Sequence, residues 1–187
     1  MAVELFPEFQ VILVPGLHNS GPDHWQTRWQ RAYPEFYRVG QDHWDQPDLP
    51  GWSARVDQVR AQDPRPALFI AHSFGCLASV ASIARNGLDV AGALLVAPAD
   101  PNKFGVSNML PAIALPCPSV MIGSTNDPWM SAEHAAWWAA RWHSQFVNAG
   151  PLGHINAESG LGDWAWGQQQ LKGLLQRAHD GNVAISA

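Results

Sequence analysis

The chain predicts an α/β protein in three layers, a mostly parallel sheet with helices on both of its faces. Two observations carry this. Short apolar runs of strand length alternate with helical apolar spacing about five times from end to end, as strand–helix–strand units do. The central runs are apolar throughout, as strands buried on both faces must be. A length of 187 residues fits a single domain, 1–187, with an ordered core over about 9–178.

Taken in order, Gln10–Val14 (QVILV) is a β-rich run closed by Pro15-Gly16. Trp25 and Trp29, four apart, place a helix over Gly21–Tyr33. A weaker apolar run over Phe36–Val39 predicts the second strand, and the turn-rich loop DHWDQPDLPG follows it. Trp52, Val56 and Val59 repeat at helical spacing, so Gly51–Gln62 reads as a helix. Ala67–His72 (ALFIAH) reads as a buried strand and Gly75–Arg85 as a small-residue helix. Strands over Val90–Ala99 and Ser119–Ser124 flank the proline-rich segment Asp100–Pro118, an irregular surface excursion near a strand end. Ser131–Trp142 reads as a helix with Ser131 as its N-cap. The last strand lies in SQFVNAG, and Trp164, Leu171, Leu174 and Leu175 mark a C-terminal helix that frays after about Arg177.

Composition narrows the function. The net charge is −5 and the 11 Lys and Arg are scattered, so no basic stripe exists to follow a phosphate backbone. No apolar run approaches the roughly 18 residues of a membrane span, and MAVELFPEFQ lacks the features of a secretory signal. Cys76 and Cys117 show neither CxxC nor metal spacing and read as reduced core residues, so a cytoplasmic location is expected. The eight histidines contain no HExxH, and Asp42, His43 and Asp45 read as a polar loop, so no metal is expected. No GxGxxG or P-loop string calls for a nucleotide cofactor. The ten tryptophans read chiefly as helix-to-sheet packing, with some left over for an apolar pocket.

The strongest local signal is Ala71-His72-Ser73-Phe74-Gly75, between a buried strand and a small-residue helix. A nucleophilic serine on such a strained turn needs small residues two before and two after it, and Ala71 and Gly75 supply them. A serine alcohol is a weak nucleophile until an imidazole takes its proton, and a carboxylate must orient that imidazole. Asp127 and then His154 follow in that order, each just past a strand end. Asp100 also follows a strand and is the rival acid; Asp163 comes after His154 and falls outside the order. A developing oxyanion needs two backbone donors, for which the Phe74 N–H and the Leu17 N–H are the candidates, with His18 second to Leu17. His18, Trp44 and Trp129 are expected to contact substrate in a shallow, open pocket with Phe74 and Leu17 in its lining. His72 reads as the turn's variable position.

Four segments, VPGLHNSGPDHWQTRW, AHSFGC, GSTNDPW and GHINAESGLGDW, occur in order over nearly the whole chain. Together they resemble the small serine hydrolases related to retinoblastoma-binding protein 9, a compact branch of the α/β-hydrolase superfamily. The resemblance implies a capless α/β-hydrolase fold, points to Ser73, Asp127 and His154 as catalytic, and supports Leu17 and Phe74 as oxyanion donors. The expected function is hydrolysis of a small carboxylic ester, or an amide or thioester, through an acyl-enzyme and without a cofactor. Two alternatives accompany it: a non-catalytic protein-interaction module on the same scaffold, and acyl transfer to an alcohol other than water. The expected partner is a small-molecule ester or amide, with neither nucleic acid nor membrane.

Overall fold

The structure, a computed structural model, describes residues 7–185; the first six residues, including most of the stretch read above for a leader signal, and the last two lie outside it. Its strands are β1 (Gln10–Val14), β2 (Tyr37–Arg38), β3 (Ala67–His72), β4 (Val90–Val96), β5 (Ser119–Gly123) and β6 (Gln145–Asn148). Its α-helices are α1 (Trp25–Ala32), α2 (Leu49–Arg60), α3 (Phe74–Asn86), α4 (Ala132–Arg141) and α5 (Ala165–Ile185). The strands form one sheet in the order β2-β1-β3-β4-β5-β6, and every neighbouring pair is parallel.

Alternation along each strand sorts the core into two halves. Ile12, Val14, Phe69, Ala71 and Leu95 face one way, against α2, α3 and α4. Val11, Leu13, Leu68, Ile70 and Leu94 face the other way, against α1 and α5. Both sets are apolar, which is why the strand runs carry no polar alternation. The predicted three layers are therefore present, with no cap domain among the described residues.

Several boundaries differ from the sequence reading, each for a local reason. The first helix begins at Trp25 rather than Gly21 because His24 caps it, its ring accepting from the Gln26 N–H at 3.2 Å. β4 stops at Val96, since Ala97 turns out of the sheet with φ 43°. α5 runs past Arg177 to Ile185, anchored by the buried Ala178 and by an ion-pair contact of 2.8 Å between His179 and Glu8.

The order of the sheet also locates the site. From β1 the chain moves outward to β2, then returns to place β3 on the other side of β1. The crevice between the carboxyl ends of β1 and β3 is thus the point where chain direction across the sheet reverses, where ligands of open α/β sheets bind. Ser73 follows β3, and the loop carrying Leu17 follows β1.

Candidate functional site

Ser73 occupies the turn between β3 and α3 with φ 53° and ψ −125°, a conformation costly for any residue with a side chain. Its N–H donates to the Val96 carbonyl at 3.1 Å, which fixes the turn to the neighbouring strand. Two glycines let the loop after β1 press against it. A Cβ on Gly75 would lie 2.3 Å from the Val14 oxygen, and one on Gly16 would lie 2.7 Å from the Ser73 Cβ. The spatial demand that singled out position 75 is thus matched by a second, at position 16.

The loops after β5 and β6 bring Asp127 and His154 to this turn. His154 Nε2 lies 2.9 Å from Ser73 Oγ, and His154 Nδ1 lies 2.9 and 3.0 Å from the two Asp127 carboxylate oxygens. A carboxylate only accepts, so Nδ1 carries the proton and the Nε2 lone pair faces the serine hydroxyl. The Asp127 carboxylate is 1% exposed and also accepts from the Trp129 N–H at 2.9 Å. Asp100 is engaged elsewhere, with an oxygen 3.4 Å from His134 Nδ1, and Asp163 pairs with Arg28 at 2.7 Å on the surface.

Two side chains absent from the sequence reading lock these loops together. Asn126 Oδ1 accepts from the Gly153 N–H at 2.7 Å, and Ser124 Oγ accepts from the Leu152 N–H at 3.0 Å. Both precede Asp127 in GSTNDPW, so the signal lay in that polar cluster, but which loop it would hold is a matter of three dimensions. A similar clamp acts on the loop after β1. Arg38 donates to Asn19 Oδ1 at 2.7 Å and to the Ser20 carbonyl at 2.8 Å, while Gln26 donates to the Ile70 carbonyl at 2.9 Å.

A cavity of about 660 Å³ opens over Ser73 and His154. Leu17, His18 and Trp129 line it as expected, together with Lys103 and Phe104 from the segment after β4 and Glu158 opposite. Lys103 ties that segment to the acid loop, donating to the Trp129 carbonyl at 2.7 Å. Two expected lining residues are elsewhere. The Phe74 ring is fully buried between Trp52 and Phe104, because as the first residue of α3 it points into the core. Trp44 packs its ring edge-on against Trp52 and reaches the site only through its carbonyl, which accepts from the His18 N–H at 2.9 Å. That bond also removes His18 as a free backbone donor. The Leu17 and Phe74 N–H groups have no acceptor among the described residues. Among those residues, no three His, Cys, Asp or Glu side chains converge as metal ligands.

Most tryptophans pack, as read from the sequence. Trp25 and Trp29 donate their indole N–H groups to the Ile155 and Asp163 carbonyls at 2.9 and 2.8 Å, which binds α1 to the loop carrying His154.

Two further histidines, His24 and His72, are buried beside this row. The His24 and His72 rings lie 4.7 Å apart, and His72 and His154 lie 4.9 Å apart. Burial, with the Arg38 and His154 charges adding to it, pushes His24 from 6.5 down to about 4. Burial, then His24 and His154, holds His72 well below its ordinary range as well. A histidine with a lowered folded pKa binds fewer protons folded than unfolded in the intervening window. Stability is therefore expected to fall as pH drops from 6.5 toward 4, by about 3 kcal/mol for His24 alone. Thermal melts over this range check it. His24→Asn keeps a capping acceptor and removes the titration, so its Tm is expected to decline less steeply; parallel curves would contradict the assignment.

A profile of the serine hydrolase family matches residues 11–173. No curated protein sequence matches the chain. Among solved structures, a protein of Pectobacterium atrosepticum described as a YdeN-like hydrolase is 37% identical, with a TM-score of 0.88 over 91% of this chain and 92% of that one. The ydeN gene product of B. subtilis is 18% identical, with a TM-score of 0.65 over 81% and 90%. An Agrobacterium tumefaciens protein described as an α/β-hydrolase is 14% identical, with a TM-score of 0.61 over 89% and 87%, which speaks to the fold alone. With the fold, the profile match and the 37% identity in agreement, the chain belongs to the serine hydrolase family, on an α/β-hydrolase fold.

Proposed function

We propose that the protein hydrolyses a small carboxylic ester through an acyl-enzyme, with Ser73 as nucleophile, His154 as general base and acid, and Asp127 orienting the imidazole. The 2.9 Å approach of His154 Nε2 to Ser73 Oγ, backed by Asp127 on Nδ1, is the observation that carries it. Oγ attacks the ester carbonyl carbon as Nε2 takes its proton, and Asp127 stabilises the imidazolium. The tetrahedral oxyanion accepts from the Leu17 and Phe74 N–H groups. His154 then returns the proton to the departing alcohol. Water, deprotonated by the same imidazole, attacks the acyl-enzyme, and the imidazolium returns that proton to Ser73 Oγ as the acid departs. An amide or a thioester passes through the same steps with a different leaving group. His18 and Trp129 on the cavity wall contact the substrate.

Within the family, the four segments quoted above favour the branch around retinoblastoma-binding protein 9. Cys76 and Cys117 are free thiols whose pKa burial raises, which suits a reducing, cytoplasmic setting. The alternative of a protein-interaction role has only individually exposed apolar side chains outside the cavity to draw on, Met109, Ile113 and Trp137.

A fluorophosphonate probe tests the catalytic reading. The wild-type protein is expected to be labelled and Ser73→Ala to remain unlabelled. Equal labelling of both overturns the proposal. Labelling without turnover on a panel of p-nitrophenyl esters of graded acyl length favours the interaction role instead.

A further inference from the structure

His72 immediately precedes Ser73 at the end of β3, and its ring is almost wholly buried. Its Nε2 lies 2.9 Å from the main-chain oxygen of His154. A carbonyl oxygen only accepts, so Nε2 carries the proton and donates. The strand that presents the serine therefore also grips the backbone of the residue whose ring meets that serine.

The grip falls where the loop most needs one. Gly153 and Ile155, on either side of His154, have φ of 60° and 48°. For β-branched Ile155 this is a genuine outlier, one that persists only while surrounding contacts over-determine it. Those contacts are present at three successive residues. Asn126 accepts from the Gly153 N–H, His72 donates to the His154 carbonyl, and Trp25 donates to the Ile155 carbonyl. Only the middle one acts on His154 itself. Behind His72 stands His24, whose ring crosses it at 72° and whose Nδ1 is engaged by the Gln26 N–H. His24 thereby keeps the His72 ring from turning away.

We propose that His72 is a positioning residue: its Nε2–H holds the His154 carbonyl, and so sets the reach of the His154 imidazole to Ser73. This rests on the catalytic reading of Ser73 and His154. Without the donor, the carbonyl of His154 loses its hydrogen bond to β3 and the strained loop relaxes. A displacement of about 1 Å at the imidazole lowers reactivity by about 100-fold without altering how substrate is held. Leucine at this position fills the space and donates nothing. Glutamine carries an amide N–H at nearly the same distance from Cα as the imidazole Nε2.

Purified wild type, His72→Leu, His72→Gln and Ser73→Ala are compared on one p-nitrophenyl ester, with fluorophosphonate labelling rates and melting temperatures alongside. His72→Leu is expected to lower kcat and the labelling rate by about 30- to 100-fold with KM within about twofold. His72→Gln is expected to recover most of both, to within about fivefold of wild type. If His72→Leu matches wild type in kcat, the inference is wrong. It is also wrong if Gln and Leu are equally impaired, since packing rather than donation is then what the site requires. Should Leu melt well below the working temperature, the Gln comparison alone decides. Labelling of Ser73→Ala at the wild-type rate is a different failure, that of the underlying catalytic reading.

Discussion

His154→Ala is expected to lower kcat/KM for an activated ester by roughly four to six orders of magnitude, with the fold intact. The geometry explains the size. Without the imidazole at 2.9 Å from Oγ, nothing takes the serine proton during attack, and nothing returns one to the leaving group. Ser73→Ala removes the nucleophile itself, and the two losses do not add, because each alone disables the same step. The double variant is therefore expected to be no slower than the single ones, with residual turnover set by the Leu17 and Phe74 donors and the cavity. Asp127→Asn should fall by about 10⁴-fold, since a buried amide favours the wrong imidazole tautomer. Steady-state kinetics with circular dichroism as a folding control measures all four. Activity of His154→Ala within tenfold of wild type would remove the imidazole from the mechanism.

Gly75→Ala is expected to be severely destabilising for a single added methyl. The added carbon would sit 2.3 and 2.4 Å from the Val14 and Pro15 carbonyl oxygens. Both belong to backbone at the end of β1, so relief requires moving α3 away from the sheet or β1 out of it. A loss of about 3 kcal/mol or more follows, a fall in Tm of roughly 6–12 °C for a domain of this size. Any shift of α3 also carries the Phe74 N–H with it, so labelling of Ser73 is expected to slow even where the variant folds. Gly40→Ala is the control: its Cβ meets nothing within 4 Å, and its Tm should stay within a degree or two. Equal melting of the two variants would mean that the close approach is not required.

How much of this was legible depends on how far apart the interacting residues are in the chain. β3 was readable to the residue, because a strand buried on both faces leaves an unbroken apolar run between turn-formers. The start of α1 was not, since histidine is an unusual cap and only its bond to the Gln26 N–H identifies it. The relation among Ser73, Asp127 and His154 could be anticipated because chain order and strand ends are visible in sequence, and the structure brings the three within hydrogen-bonding distance. Phe74 and Trp44 were misplaced for one reason: a large aromatic near a site looks like lining until the core claims its ring. The contacts of His72 with His154, 82 positions later, and of Gln26 with Ile70, 44 later, leave no local pattern at all.

The open mouth of the cavity has a kinetic meaning. With no cap domain among the described residues to swing shut over Ser73, the proposed ester would reach the serine without waiting for any closure, and the departing alcohol would leave the same way. Discrimination then rests with the fixed walls, to which Leu17, Phe104 and Trp129 contribute apolar surface.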